Sequence, residues 1–257
     1  MTTREAERAC LGAFYEALFA DPLLREFYSD SGYANFGYWR PETRSAAEAG
    51  DNLVDELVGR LSTPAGAILD VACGRGATTR RIGERLRDAS LFGIGLSLEQ
   101  LTAARRRAPT ARFAQMDAAR LAFDRNSFDA VFSIEAAFHF ATRARFLEEA
   151  LLVLKPGGSL LMSDLLMARG TLLTPPENHL VDARAYARLL TRVGFRDAQV
   201  TDVTDATWRA YRRHLSNFIA RRYLRAPTGL RDLFAANVVF AWAVRQCVLV
   251  SAQKPSA

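Results

Sequence analysis

Apolar positions along the chain repeat with two different periods. Over Ala9–Phe19 they fall at helical spacing, with Phe14, Tyr15, Leu18 and Phe19 on one side, which predicts a helix laid on the core. Ala46–Leu61 carries the stripe Leu53, Val54, Leu57 and Leu61 and predicts an amphipathic helix. Ala67–Ala72 is instead a short apolar run suited to a strand buried on both faces, interrupted only by Asp70. From there the pattern alternates: a helix over 77–88, a strand at Leu91–Leu96, a helix at Leu98–Arg107, strands at Ala111–Met116 and Ser127–Ile134, a helix over 142–154 and a strand at Ser159–Ser163. Such alternation predicts an α/β fold whose parallel strands are joined by right-handed crossovers.

Beyond Asp164 the period is lost, and a stretch holding Pro175-Pro176 is expected to cover a site rather than extend the sheet. A helix at Val181–Val193, a strand at Ala198–Val203, helices at Asp205–Tyr223 and Leu230–Phe240 and a last strand at Ala243–Ala252 complete the chain. With 257 residues, no internal repeat and no low-complexity linker, one domain is expected over 1–257. Its parts are an N-terminal helical and aromatic lid (1–60), a core (61–203), a helical insertion (204–242) and a final strand with its tail (243–257). The lid contains Tyr33-Ala34-Asn35-Phe36-Gly37-Tyr38-Trp39, an aromatic segment that no helix or strand period explains; it covers a site or tethers the segment to the core.

The run Ala67–Arg81 reads as a strand, a glycine turn and a helix. Gly74 and Gly76 let the backbone turn tightly and approach a ligand, and Thr78 and Thr79 are candidate caps for the helix. The third glycine of a dinucleotide fingerprint is replaced by Thr79. The two lysines, Lys155 and Lys254, are not placed for a phosphate loop. Asp70, a carboxylate at the end of a buried strand, needs a partner such as an ammonium or a row of backbone N–H groups.

Asp70-Val71-Ala72-Cys73-Gly74-Arg75-Gly76 resembles the D/E-x-x-x-G-x-G motif of class I S-adenosylmethionine (SAM)-dependent methyltransferases. The resemblance extends to Asp117 after the third strand and to Lys155-Pro156-Gly157-Gly158 before the fifth. It implies a Rossmann-like seven-stranded sheet with an antiparallel last strand, SAM as cofactor and S-adenosylhomocysteine (SAH) as product. It also implies a cofactor site at Asp70, Ala72, Gly74, Gly76, Leu96, Gln100, Met116, Asp117, Ala118 and Ile134. Gly95 stands where such enzymes often hold the ribose with an acid, and the G-I-x-x-S-x-x-Q pattern of Gly93–Gln100 transfers that role to Gln100, with Glu99 as substitute. By the same resemblance the segment with Phe36, Tyr38 and Trp39 is similar to lids over donor and acceptor.

Composition narrows the partners. The formal charge of +6 rests almost wholly on arginines at helix-surface spacing, without a dense basic run, so a small molecule rather than nucleic acid is the expected partner. No apolar run approaches the roughly 20 residues of a membrane span. MTTREAERAC lacks the apolar stretch of a secretory signal, and three scattered cysteines suggest neither disulfides nor a metal, so a cytoplasmic protein without a metal site is expected, with a homodimer left open.

Methyl transfer to a hydroxyl requires alignment and removal of a proton near neutral pH, which suits histidine. Of the three histidines, His139 follows the fourth strand at the ligand edge of the sheet and is the expected general base, with Glu135 lining the pocket; the alternative for His139 is a satisfied core residue. His179 lies in the irregular cover, either reaching the substrate or as a solvated loop residue, and His214 is expected at the surface. The expected activity is O-methylation of a hydrophobic natural product. C- or N-methylation, or a methyltransferase-fold cyclase or SAM-binding protein without transfer, are the alternatives.

Overall fold

A computed structural model describes residues 3–62, 66–171, 174–223 and 242–256. Helices α1 (Thr3–Ala20), α2 (Pro22–Phe27) and α3 (Ala46–Val58) precede the sheet. There follow β1 (Ala67–Val71), α4 (Ala77–Arg85), β2 (Ser90–Gly95), α5 (Leu98–Arg107), β3 (Arg112–Gln115) and β4 (Phe128–Ile134). The remainder is α6 (Arg143–Val153), β5 (Leu154–Met167), α7 (Ala183–Val193), β6 (Arg196–Asp202), α8 (Ala210–Tyr223) and β7 (Val244–Gln253). The strands form one seven-stranded sheet in the order β3-β2-β1-β4-β5-β7-β6, with β7 antiparallel to both neighbours and the other pairings parallel.

Successive residues of β1 feed opposite cores, as a doubly covered strand requires. Ile68 packs with Leu53 and Leu57 of α3 and Leu215 of α8; Leu69 and Val71 pack with Phe146 and Leu147 of α6 and Leu190 of α7. Between β1 and β4 the strand order changes direction, and the crevice beyond the strand ends there is where an open sheet receives a ligand. None of the described helices is long and apolar enough to cross a membrane.

The fifth strand does not stop where local pattern suggests. Asp164–Met167 continues it, each residue buried and paired with β7 from Val248 to Val244. The pairing partner lies some 80 residues later in the chain, so no local period carries this signal. The expected helix at Leu230–Phe240, within the 204–242 insertion, lies outside the described residues. The first part of that insertion, Asp205–Tyr223, is helical, opening with a widened turn at Asp205–Arg209.

Asp164, beyond which the sequence period is lost, is enclosed. Arg143 Nε donates to its Oδ2 at 2.7 Å, Tyr186 Oη donates to the same oxygen at 2.9 Å, and Phe138 N donates to Oδ1 at 3.0 Å. Arg143 also donates to the carbonyls of Asn178 and Leu165. Removing one partner of a buried ion pair strands the other charge. Arg143→Met is therefore expected to lower the unfolding free energy by roughly 3–5 kcal/mol, read from urea denaturation, and a midpoint equal to wild type would show that Asp164 does not depend on it.

Candidate active site

At the end of β1 the chain turns through Ala72 (φ 60°), Gly74 (φ 53°) and Gly76 (φ 80°) before α4 begins. Gly76 packs so close to α5 that a Cβ there would lie 2.7 Å from Ala104 Cα. A Cβ on Gly74 meets nothing nearer than Gln100 Oε1 at 4.0 Å, so any side chain there would enter the open space above the turn. Thr78 and Thr79 do not cap α4. Both hydroxyls donate to Asp70 Oδ2 at 2.6 Å, and these, rather than an ammonium or a row of N–H groups, are what the structure supplies to that buried carboxylate. Burial nevertheless pushes the Asp70 carboxyl up to about 6, against the lowering effect of the two threonines.

Above this turn lies a cavity of about 600 Å³. Its floor is Ala72–Gly74 with Ala77 and Thr78; one wall is Gly95–Ser97, Gln100 and Met116–Ala118; another is Ile134–Ala136 with His139–Ala141. The roof is α1, through Gly12, Ala13, Tyr15, Glu16 and Phe19, together with Gly32–Asn35. Ten of the expected site residues thus meet around one space: Ala72, Gly74, Leu96, Gln100, Met116, Asp117, Ala118, Ile134, Glu135 and His139.

Six do not reach it. Asp70 and Gly76 lie beneath the turn and shape it. Phe36, Tyr38 and Trp39 are drawn away because Gly37 (φ 70°) sits directly on α3, where a Cβ would be 2.6 Å from Ala49 Cβ. Tyr38 N donates to Ala49 O at 2.8 Å, the Phe36 ring packs on Trp208 and Tyr211, and Trp39 stacks on His214 at 3.9 Å between centroids. Phe36–Trp39 form a tether while Tyr33–Asn35 of the same segment roof the cavity, and His214, expected at the surface, is half-buried against the tether. His179 lines a separate cavity of about 350 Å³ beside α7. Its neighbour Asn178 contacts the site's framework instead, its Nδ2 donating to the carbonyls of Phe138 (3.1 Å) and Phe140 (2.7 Å). Glu99 is mostly exposed and paired with Arg75, which leaves Gln100 in the wall.

Of the roof residues, Tyr15 and Phe19 enter the sequence reading only as part of the α1 stripe and Asn35 only as part of the aromatic segment, and Glu16 not at all. The aromatic stripe of α1 marked a buried face, but not that a cavity lies under it. Tyr15 Oη is 2.8 Å from His139 Nε2. Arg75, inside the glycine motif, holds its guanidinium 4.8 Å from the Phe19 ring centroid. Arg107 donates to the carbonyls of Arg75 (2.8 Å) and Asp30 (3.1 Å), tying the chain below the roof to the glycine turn.

Glu135 has a left-handed backbone (φ 49°). Its Oε2 accepts from Phe36 N at 2.9 Å, and burial raises its carboxyl to about 8, opposed by that N–H and reinforced by Asp164. Tyr15 is held well above the ordinary phenol range by burial and by the charge of Glu135. Among the described residues no group of three or more His, Cys, Asp or Glu is placed to hold a metal.

Residues 69–162 match the model of a methyltransferase domain family. The O-methyltransferase cnsE of Penicillium expansum is 34% identical over 194 residues, covering 68% of this chain and 69% of its own. The chain belongs to the class I SAM-dependent methyltransferases. The erythromycin 3''-O-methyltransferase of Saccharopolyspora erythraea is 32% identical over 228 residues, covering 79% of this chain and 72% of its own. The crystal structure of the [4+2]-cyclase SpnF has a TM-score of 0.76 at 24% identity, covers 96% of each chain and shows the same fold.

SAM is the cofactor of this methyltransferase, and the cavity fits it. Open space over Gly74 admits a ligand where a side chain would intrude, Leu96 and Met116 offer apolar flanks for a planar base, and Gln100 and Asp117 offer polar groups for a nucleoside.

The Asp70 carboxyl lies above the roughly 3.9 of an unfolded chain. The folded state therefore binds the extra proton between about pH 4 and 6, and stability falls as pH rises through that window, by roughly 3 kcal/mol. Asp70→Asn keeps an oxygen for both threonines and cannot titrate. Its stability relative to wild type is expected to improve by about that amount between pH 4 and 7 in denaturant unfolding; a constant difference across the range would contradict the assignment.

Proposed function

We propose that this methyltransferase, acting as a single domain, transfers the methyl group of SAM to a hydroxyl of a hydrophobic natural product, with His139 as general base. What carries the reading is the position of His139, in the wall of a largely apolar cavity beside Tyr15 and Glu135. The two relatives described above are O-methyltransferases by name, which supports oxygen as the target.

In this reading Leu96, Met116, Asp117 and Ala118 receive the adenine, Gln100 the ribose, and Ala72, Gly74 and Ile134 the methionine portion. Asp70 and Gly76 act through the turn they shape. SAM, when bound, supplies an electrophilic methyl on sulfur. Everything else falls to the protein: holding the acceptor in line, excluding water and taking up a proton. Burial keeps Tyr15 protonated, and the 2.8 Å bond between its hydroxyl and His139 Nε2 takes its direction from the imidazole tautomer; in this reading the proton sits on Nδ1, so that Nε2 is the accepting nitrogen. An acceptor hydroxyl that takes the place of the tyrosine hydroxyl gives its proton to the same nitrogen. Asn178 and Asp164 fix the backbone that carries the imidazole.

A second reading keeps cofactor binding and discards transfer, and the overlay on a [4+2]-cyclase along nearly the whole chain favours it. Incubation with methyl-labelled SAM and an extract of apolar metabolites separates the two: label in an extractable ether supports O-methylation, label on carbon or nitrogen replaces it with C- or N-methylation, and SAH binding without any labelled product favours the cyclase. His139→Ala is expected to bind SAH within about threefold of wild type while transfer slows about 10²- to 10⁴-fold; undiminished turnover would remove it as the base.

A further inference from the structure

The charged side chains in the cavity wall are Glu16, Asp117 and Glu135, and all are acids. Among the described residues no lysine or arginine contributes to it, in a chain with 34 Lys and Arg against 28 Asp and Glu. A phosphate or carboxylate on the acceptor would enter a buried site with nothing to neutralise it.

Two buried oxygens in this wall have no hydrogen-bond partner, Glu135 Oε1 and Asn35 Oδ1. Both residues are nine-tenths or more buried, at 9% and 7% exposure. The two residues are close in the fold, because the amide that holds Glu135 Oε2 belongs to Phe36, the residue after Asn35. A buried acceptor without a donor costs about 1–3 kcal/mol, and two on adjoining residues point to donors that a ligand would bring. A hydroxyl has one hydrogen to give, whereas an ammonium has up to three and a positive charge. Tyr15, Phe19, Tyr33 and Phe140 line the same cavity, and aromatic faces favour a cation with an apolar body.

We propose that the acceptor carries an aliphatic amine, bound as its ammonium by Glu135 Oε1 with Asn35 Oδ1 beside it. The inference rests on the methyltransferase reading above and names the acceptor's chemical class. A protonated amine has no lone pair to attack a methyl group, so this nitrogen is the handle and not the target. It orients the acceptor while a separate hydroxyl lies at His139. Burial raises the Glu135 carboxyl to about 8 in the absence of such a partner, and an opposed ammonium removes the cost of holding the charge there.

Three probes on one carbon skeleton test this with SAH-saturated protein: cyclohexylmethylamine, cyclohexylmethanol and cyclohexanecarboxylate, titrated at neutral pH by ligand-observed NMR. The amine is expected to bind at least tenfold tighter than the alcohol, and the carboxylate weakest. Glu135→Gln is expected to bring amine and alcohol within about twofold of each other, with SAH affinity within threefold of wild type, and Asn35→Ala to weaken the amine several-fold. An alcohol that equals the amine, a carboxylate that binds as well, or an amine preference that survives Glu135→Gln overturns the proposal. A tenfold loss of SAH affinity in Glu135→Gln also overturns it, because the oxygen would then serve the cofactor's own ammonium. If that variant does not fold, the wild-type ranking of the three probes decides alone. Wild-type protein that takes up no SAH removes the methyltransferase reading itself, a result distinct from SAH binding with a different probe ranking.

Discussion

The site depends first on a carboxylate buried beneath it. Asp70 ends the central strand with its Oδ2 bound by the hydroxyls of Thr78 and Thr79, one turn into the following helix. A lone carboxylate in that position would be expensive; two short hydrogen bonds to one oxygen offset part of the cost and fix α4 relative to β1. The turn between them then has little freedom. Gly76 is pressed against Ala104, Ala72 and Gly74 take left-handed backbones, and the carbonyl of Arg75 faces the guanidinium of Arg107. Because Arg107 also holds Asp30, the shape of the turn is passed on to the chain that supports the roof.

A second buried charge does the same for the opposite wall. Asp164 is bound by Arg143, Tyr186 and the amide of Phe138, and Asn178 satisfies the carbonyls of Phe138 and Phe140. Residues 137–140 lack a strand or a long helix to stabilise them, so their backbone groups are satisfied by side chains from elsewhere. His139 therefore rests on a framework that is polar, buried and paired, while its own ring faces the cavity. Catalytic geometry on a loop requires such support, since loops carry few packing contacts of their own.

Most of the core was legible because its signals are local. The strand and helix periods and the glycine turn each lie within a few residues of their cause, and the helix Leu98–Arg107 has the bounds its pattern implies, whereas Lys155–Gly158, expected before the fifth strand, lie inside β5. What could not be read depends on partners distant in sequence. The continuation of β5 through Met167 needs β7, and the enclosure of Asp164 needs Arg143 and Tyr186. The aromatic run at Phe36–Trp39 showed that rings are buried, not against what. Gly37, read only as part of that run, is the residue that brings it onto α3 and away from the cavity. In the same way the stripe containing Tyr15 and Phe19 predicted a helix on the core, yet the surface under it is a ligand cavity.

Asp70, Asp164 and Glu135 form a series at one edge of the sheet. All three are buried; Asp70 and Asp164 draw side-chain donors from neighbours in the fold, and Glu135 retains an oxygen without a partner. Glu135 also carries a left-handed backbone that a non-glycine residue adopts at a cost of order 1–3 kcal/mol. Asp164 accepts on both oxygens and Asp70 takes two hydroxyls on one, whereas Glu135 combines its left-handed backbone with a buried Oε1 that accepts from nothing in the fold. Structural acids are recognised by their completed hydrogen bonds; a functional acid is recognised by the bond that the protein alone does not make.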